Sequence, residues 1–162
     1  MEEQWKELQG YLDKAASYQA ALALFGWDAE TLAPPESHEL TARVVGVLAE
    51  EYFALMTGER VRELAASIDG EALGTKERAI LRRLRRELDS LEKLPQKEYG
   101  AYQELLARSP SEWKKAKEKN DFASFLPVLD EVISTARRFA SLRAKEGQAP
   151  YDVVLDDYEE GF

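Results

Sequence analysis

TKERAILRRLRRELDSLEKL, residues 75–94, decides the fold class. Its apolar residues, Ile80, Leu81, Leu84, Leu88, Leu91 and Leu94, recur at steps of mostly three and four. That spacing stripes one face of a helix and would scatter over both faces of a strand. Thr75 can cap the helix, and Pro95 suits the first turn of a further helix through Tyr99, Tyr102, Leu105 and Leu106. Arg82, Arg85 and Arg86 flank the leucine stripe, and Glu87, Asp89 and Glu92 follow within two turns as partners. This basic run reads as a solvated helix face.

The same pattern extends in both directions, punctuated by proline and glycine. From about Glu3 to Phe25, Trp5, Leu8, Leu12, Ala15, Leu22 and Phe25 share one broad face. Residues Ala20 to Phe25 are apolar all round, which predicts a helix end buried on most sides, with Pro34-Pro35 closing the segment. A second helix is expected over His38 to Met56, with Leu40, Val44, Val47, Leu48, Leu55 and Met56 inward. A short one around Arg60–Ala66 leads into an Asp69-Gly70 turn. Ser109-Pro110-Ser111-Glu112 has the form of a helix start, with Trp113 and Ala116 inward on a short helix stopping near Asn120. The last long helix is expected from about Ser124 to Lys145, ending at Gly147. The result is an all-α bundle of long helices, one domain over 1–162, with an aromatic and apolar tail from Ala149 to Phe162.

Composition narrows the function. A hydrophobic content of 44% with 33% charged residues is that of a folded chain. No apolar run reaches the roughly 18 residues that span a bilayer. The acidic start, Met1-Glu2-Glu3, has no basic leader region, and cysteine is absent, so a cytoplasmic setting is expected. A net charge of −9 opposes a phosphate backbone, so nucleic acid is not an expected partner.

Chemistry-bearing motifs are incomplete. A zinc-protease helix needs two histidines one turn apart, and His38 stands alone. Glu36 and Glu39 beside it make a mononuclear zinc site conceivable, but an exposed histidine at a helix entrance is the simpler reading. No nucleophile elbow and no glycine-rich phosphate loop occur. Glu50-Glu51 and Glu159-Glu160 read as surface acids, and paired carboxylates require a proximity that spacing does not establish. No catalytic and no metal-binding residue is expected within this chain.

Three aromatic-plus-acid groupings exceed what a plain bundle needs. Trp27 and Asp28, with Thr31 and Pro34, follow the first helix. Trp113 precedes Asp121, Phe122 and Phe125 at a helix corner, and Tyr151, Asp152, Asp156 and Tyr158 occupy the tail. The plain structural account makes Trp27 core, Asp28 or Thr31 a cap of the next turn, and Asp121 or Ser124 a cap of the last helix.

In this order the groupings resemble the N-terminal region of the Taq-type thermostable metallocarboxypeptidases. That family shows Trp-Asp-x-x-Thr-x-x-Pro after its first helix, matched by Trp27, Asp28, Thr31 and Pro34. A Leu-Pro step (Leu94-Pro95) follows. Asp-Phe-x-x-Phe-x-Pro after a tryptophan helix is matched by Trp113, Asp121, Phe122, Phe125 and Pro127. Tyr-Asp-x-x-Leu-Asp-x-Tyr-Glu-x-Gly is matched by Tyr151, Asp152, Leu155, Asp156, Tyr158, Glu159 and Gly161. Ala33 stands where methionine is common, and Glu160 where proline is common. The resemblance implies a helical peptidase that removes single C-terminal residues from peptides with a divalent metal, zinc or cobalt. The metal motif lies downstream in such enzymes. It also implies that these helices form a lid and groove wall, lined or braced by the motif residues, with a missing C-terminal catalytic part as partner. Homodimerisation through uncovered apolar surface is a further expectation. The alternative is a free-standing helical interaction module without peptidase activity.

Overall fold

A computed structural model describes residues 1–161; Phe162 lies outside the described residues. Seven α-helices occur among them: α1 (Glu2–Thr31), α2 (His38–Met56), α3 (Glu59–Ser67), α4 (Thr75–Leu91), α5 (Gln96–Glu118), α6 (Phe122–Arg143) and α7 (Pro150–Tyr158). Short 3-10 turns at Pro35–Ser37 and Gly70–Ala72 lead into α2 and α4. The described residues contain no strand, in agreement with the all-α expectation.

The leucine stripe of α4 is the floor of the core. Leu81, Leu84, Leu88 and Leu91 are buried, while Ile80 falls just outside the contact. Over them lie Leu8 of α1, Tyr52, Phe53 and Met56 of α2, Val61 and Leu64 of α3, and Phe139 of α6. Phe53 meets Tyr99, and Tyr102 meets Phe139, each pair with ring centroids 5.2 Å apart. Burying these side chains is the main stabilising term of the bundle. All of them sit at one end, which we call the core end.

The other end, the far end, comprises the last third of α1, the first half of α2, the second half of α5 and the first half of α6. Its interior is built from small residues. Ala42, Gly46 and Ala49 line one side of α2, which lies so close to α5 that the two backbones nearly touch. A Cβ on Gly46 would stand 2.9 Å from the Glu104 Cβ and 3.2 Å from the Gly100 carbonyl oxygen. A Cβ on Gly100 would stand 3.1 Å from the Glu50 Cβ.

Several sequence expectations are corrected. First, α1 continues past Phe25 to Thr31, a length of roughly 45 Å at 1.5 Å per residue. Its end is not buried on most sides: Ala20, Ala23, Leu24 and Trp27 are exposed. An apolar helix end reports surface that water avoids, but it does not supply the partner that covers it. In α2 the inward face is Ala42, Gly46, Ala49, Tyr52, Phe53 and Met56, whereas Leu40 and Val47 face outward. In the first half of α2 the close glycine crossing selects the small-residue face and turns Leu40 and Val47 outward.

Ser109-Pro110 does not start a helix. α5 runs through it, because the carbonyl of Leu106, which the imide nitrogen of Pro110 cannot engage, accepts a hydrogen bond from the Ser109 hydroxyl at 3.2 Å. The stop near Asn120 stands. Asn120 takes a left-handed φ of 52°, and the Asp121 N–H reaches back to the Ala116 carbonyl. Asp121 then caps α6, its Oδ1 accepting the Ser124 N–H at 3.2 Å. Gly74, not Thr75, is the cap position of α4, and α6 ends at Arg143, before Gly147.

The basic run on α4 is more than a solvated face. Arg85 donates to the carbonyls of Ala65 and Ile68, both at 2.8 Å, and so closes the C-terminal end of α3. Arg86 holds α7. The local partners expected for these arginines are displaced by tertiary ones.

Candidate functional site

The first grouping lies on the last turns of α1. Trp27 is not core: 60% of it is exposed, on the outer side of the helix. Neither Asp28 nor Thr31 caps the next turn. The Asp28 carbonyl accepts the N–H groups of Leu32 and Ala33, while the Thr31 hydroxyl donates to the Trp27 carbonyl at 2.7 Å. Both contacts finish α1 in place of a glycine cap. Pro34 orders the following turn, its carbonyl accepting from the N–H and the hydroxyl of Ser37.

The second grouping comes to the same end of the molecule. Lys114, beside Trp113, pairs with Glu30 at 3.0 Å and ties α5 to the end of α1. Trp113 lies against Phe125 with centroids 5.6 Å apart, and the Lys117 ammonium stands 5.8 Å from the Trp113 ring. Phe122 is exposed beyond them. Between α1, α2 and α5 a cavity of about 240 Å³ opens, lined by Phe25, Ala29, His38, Val45, Ala107 and Pro110 among others.

His38 is the first residue of α2, and the expected exposed histidine is not found. Both ring nitrogens are enclosed and have no hydrogen-bond partner. No three His, Cys, Asp or Glu side chains converge anywhere among the described residues, so Glu36 and Glu39 do not complete a zinc site with it. The residues present do not fit a catalytic metal.

The third grouping is separate from the other two. α7 carries Asp152 in its first turn and leaves Tyr151 and Tyr158 exposed. Asp156 accepts from Arg86 of α4 at 2.7 Å, and Arg86 also reaches Glu160 at 2.9 Å. Asp157 pairs with Arg143 of α6 at 2.6 Å. The Gly161 N–H, first, and the Arg86 guanidinium beside it hold the Asp156 carboxyl below its ordinary range. These contacts frame an open cleft between α4 and α7, lined by Arg82, Arg83 and Lys93 on one side and by Asp156 and Asp157 on the other.

One polar network escaped the sequence reading. Gln19 of α1 donates to Tyr52 Oη at 2.9 Å, and that hydroxyl donates to Glu87 of α4. Burial, first, and the Glu87 carboxylate push the Tyr52 phenol up. The three residues lie on three helices, so no spacing signals them. The phenol already spends its proton on Glu87, which suits cross-bracing rather than proton transfer to a substrate. The clusters together offer surfaces and supports, with no nucleophile–base pair among the described residues.

The sequence profile of the "Carboxypeptidase Taq (M32) metallopeptidase" family matches residues 7–162. Carboxypeptidase 1 of Bacillus subtilis is 32% identical over 160 residues, which cover 96% of this chain and 31% of that protein. Thermostable carboxypeptidase 1 of Pyrococcus furiosus is 33% identical over 144 residues, covering 87% of this chain and 28% of that protein. The solved structure of BsuCP superimposes on 99% of this chain and 32% of its own, with a TM-score of 0.92 at 30% identity. Metallocarboxypeptidase 1 of Trypanosoma cruzi gives 0.76 at 30% identity, over 100% of this chain and 33% of its own. The chain therefore spans about a third of the length of the relatives it matches. By its profile, its relatives and its helix arrangement, this chain belongs to the carboxypeptidase Taq (M32) metallopeptidase family.

Proposed function

We propose that this chain is the N-terminal helical part of a cytoplasmic metal-dependent carboxypeptidase and forms the lid and one wall of its substrate groove. The catalytic zinc or cobalt ion and the groups that act on the peptide come from residues outside 1–162. The observation that carries this reading is the superposition of almost the whole chain on about a third of BsuCP. The convergence of two of the three aromatic groupings at one end gives such a wall its side chains. In this role Trp27, Asp28, Thr31 and Pro34 shape the rim at the end of α1. Trp113, Asp121, Phe122 and Phe125 shape its continuation across α5 and α6. Tyr151, Asp152, Asp156 and Tyr158 sit where α7 leads toward the rest of the protein.

A chimera tests it: this chain replaces the matched third of the Bacillus subtilis carboxypeptidase 1. The expected outcome is chelator-sensitive release of single C-terminal residues from short peptides, with none from the 162-residue chain alone. A folded, metal-loaded chimera without activity, or chelator-resistant hydrolysis by the isolated chain, would overturn the proposal. In that case a free-standing interaction module becomes the better account.

A further inference from the structure

Two of the four arginines between positions 82 and 86 have a role within this fold: Arg85 closes α3 and Arg86 fastens α7. Arg82 and Arg83 have none. Both are exposed on α4, and no ion pair among the described residues involves either. Lys145, in the segment after α6, adds to the field at Asp156 but likewise makes no ion pair. All three line the cleft between α4 and α7, a space of about 930 Å³.

The charge of this cleft runs against that of the chain. Overall there are 31 acids to 22 arginines and lysines, yet six cations and five carboxylates line the cleft. Those five carboxylates are already engaged. Asp89 pairs with Lys93, Asp156 and Glu160 pair with Arg86, and Asp157 pairs with Arg143, each within 3.0 Å. Glu87 accepts the Tyr52 hydroxyl. What the cleft has left for a ligand is positive: two guanidinium forks on α4 and an ammonium on a second segment.

The size and the neutral lining narrow the ligand. One carboxylate or phosphate occupies a single guanidinium fork and leaves most of such a volume empty. The Ser90 hydroxyl and the Gln148 amide also line the cleft, and each accepts a hydrogen bond from the chain while its own N–H or O–H donors stay free. Donors of that kind suit the carbonyl oxygens of a peptide backbone. Nucleic acid is disfavoured by the net charge of −9.

We propose that the cleft between α4 and α7 binds an extended peptide segment rich in aspartate and glutamate, whose carboxylates pair with Arg82, Arg83 and Lys145. Exposed ion pairs are individually weak, so the binding is modest, sensitive to salt and dependent on several pairs at once. The inference concerns this chain by itself and is tested separately from the proposed function.

The experiment is fluorescence anisotropy of a fluorescein-labelled tetraglutamate peptide titrated with the 162-residue chain at low ionic strength. Saturable binding is expected, weakening as salt is added. Arg82→Gln with Arg83→Gln should lower the affinity about tenfold, the effect of losing two surface pairs. Lys6→Gln with Lys14→Gln removes the same charge from exposed positions of α1 and should leave the affinity unchanged. Absence of binding, or an equal loss in both double variants, overturns the proposal. A labelled tetraglutamine peptide that binds as tightly overturns it too. So does inorganic phosphate that displaces the peptide at the same concentration as unlabelled tetraglutamate, since the cleft then takes any anion. A chimera that folds and does not bind the peptide also overturns it, because the rest of the polypeptide then fills the cleft.

Discussion

Leu8 and Trp27 lie on the same helix, and their surroundings could hardly differ more. Leu8, at the core end, has no exposed surface and packs among residues from α2, α3 and α4. Trp27, five turns on, is largely in water. At the core end large side chains interlock, and polar groups such as Tyr52, Gln19 and Glu87 bond one another. At the far end the buried residues are mainly small, the large ones face outward and His38 lacks a partner. The contrast separates stability from readiness to bind. The core end holds most of the large buried side chains, and the far end leaves several of its large apolar side chains in water.

The most severe test of that contrast is a pair of leucine truncations. Leu64→Ala empties a site with no exposed surface and should cost about 2–5 kcal/mol in urea unfolding. Leu24→Ala in the isolated chain should stay within about 0.5 kcal/mol. Equal costs would mean that the far end is already packed, and the comparison would fail.

A smaller effect sharpens the boundary between the ends. Gly46→Ala drives a methyl group against Glu104 and the Gly100 carbonyl and should cost roughly 1–3 kcal/mol. Gly26→Ala, on an open face of α1 with nothing within 4 Å, should stabilise by about 0.5–1 kcal/mol through helix propensity. Thermal unfolding of both variants reads the opposite signs directly.

The smallest effect concerns α7, which is fastened by charge rather than by a broad apolar face. Asp156 has a folded pKa below its ordinary 3.8, so it favours the docked helix above that value. Its contribution is lost as pH falls below 3.8 through the depressed folded value. Hydrogen-exchange protection of α7 should therefore drop in that acidic window while that of α4 persists. Added salt should weaken α7 in the same way, since the Arg86 and Arg143 pairs are partly solvated.

Much of this architecture was legible in the chain. The leucine stripe of α4, the Asp121 cap and the stop at Asn120 are local patterns, and local patterns survive folding. The family was legible too, because Trp27 to Pro34, Trp113 to Pro127 and Tyr151 to Gly161 keep their order and spacing. Two of the errors share one cause, a contact with a helix distant in sequence. Met56 is inward as expected, but Leu40 and Val47 are not, because Gly46 and Gly100 permit a close crossing that puts alanines inside and Val47 outside. The sequence gives no sign that His38 is enclosed, because the walls of its cavity come from α1 and α5. Pro110 misleads for a local reason, since Ser-Pro has the form of a helix start and also, with the Ser109 hydroxyl on the Leu106 carbonyl, fits a helix interior.

Helix periodicity, turn residues and charge are properties of neighbours along the chain, so the sequence by itself determined the all-α class, the main helices and the kinship. Which face of each helix turned inward, which arginine found which carboxylate, and which apolar stripe stayed bare are contests between faces. Only the tertiary structure decided those, because each winner depended on how closely a helix distant in sequence could approach.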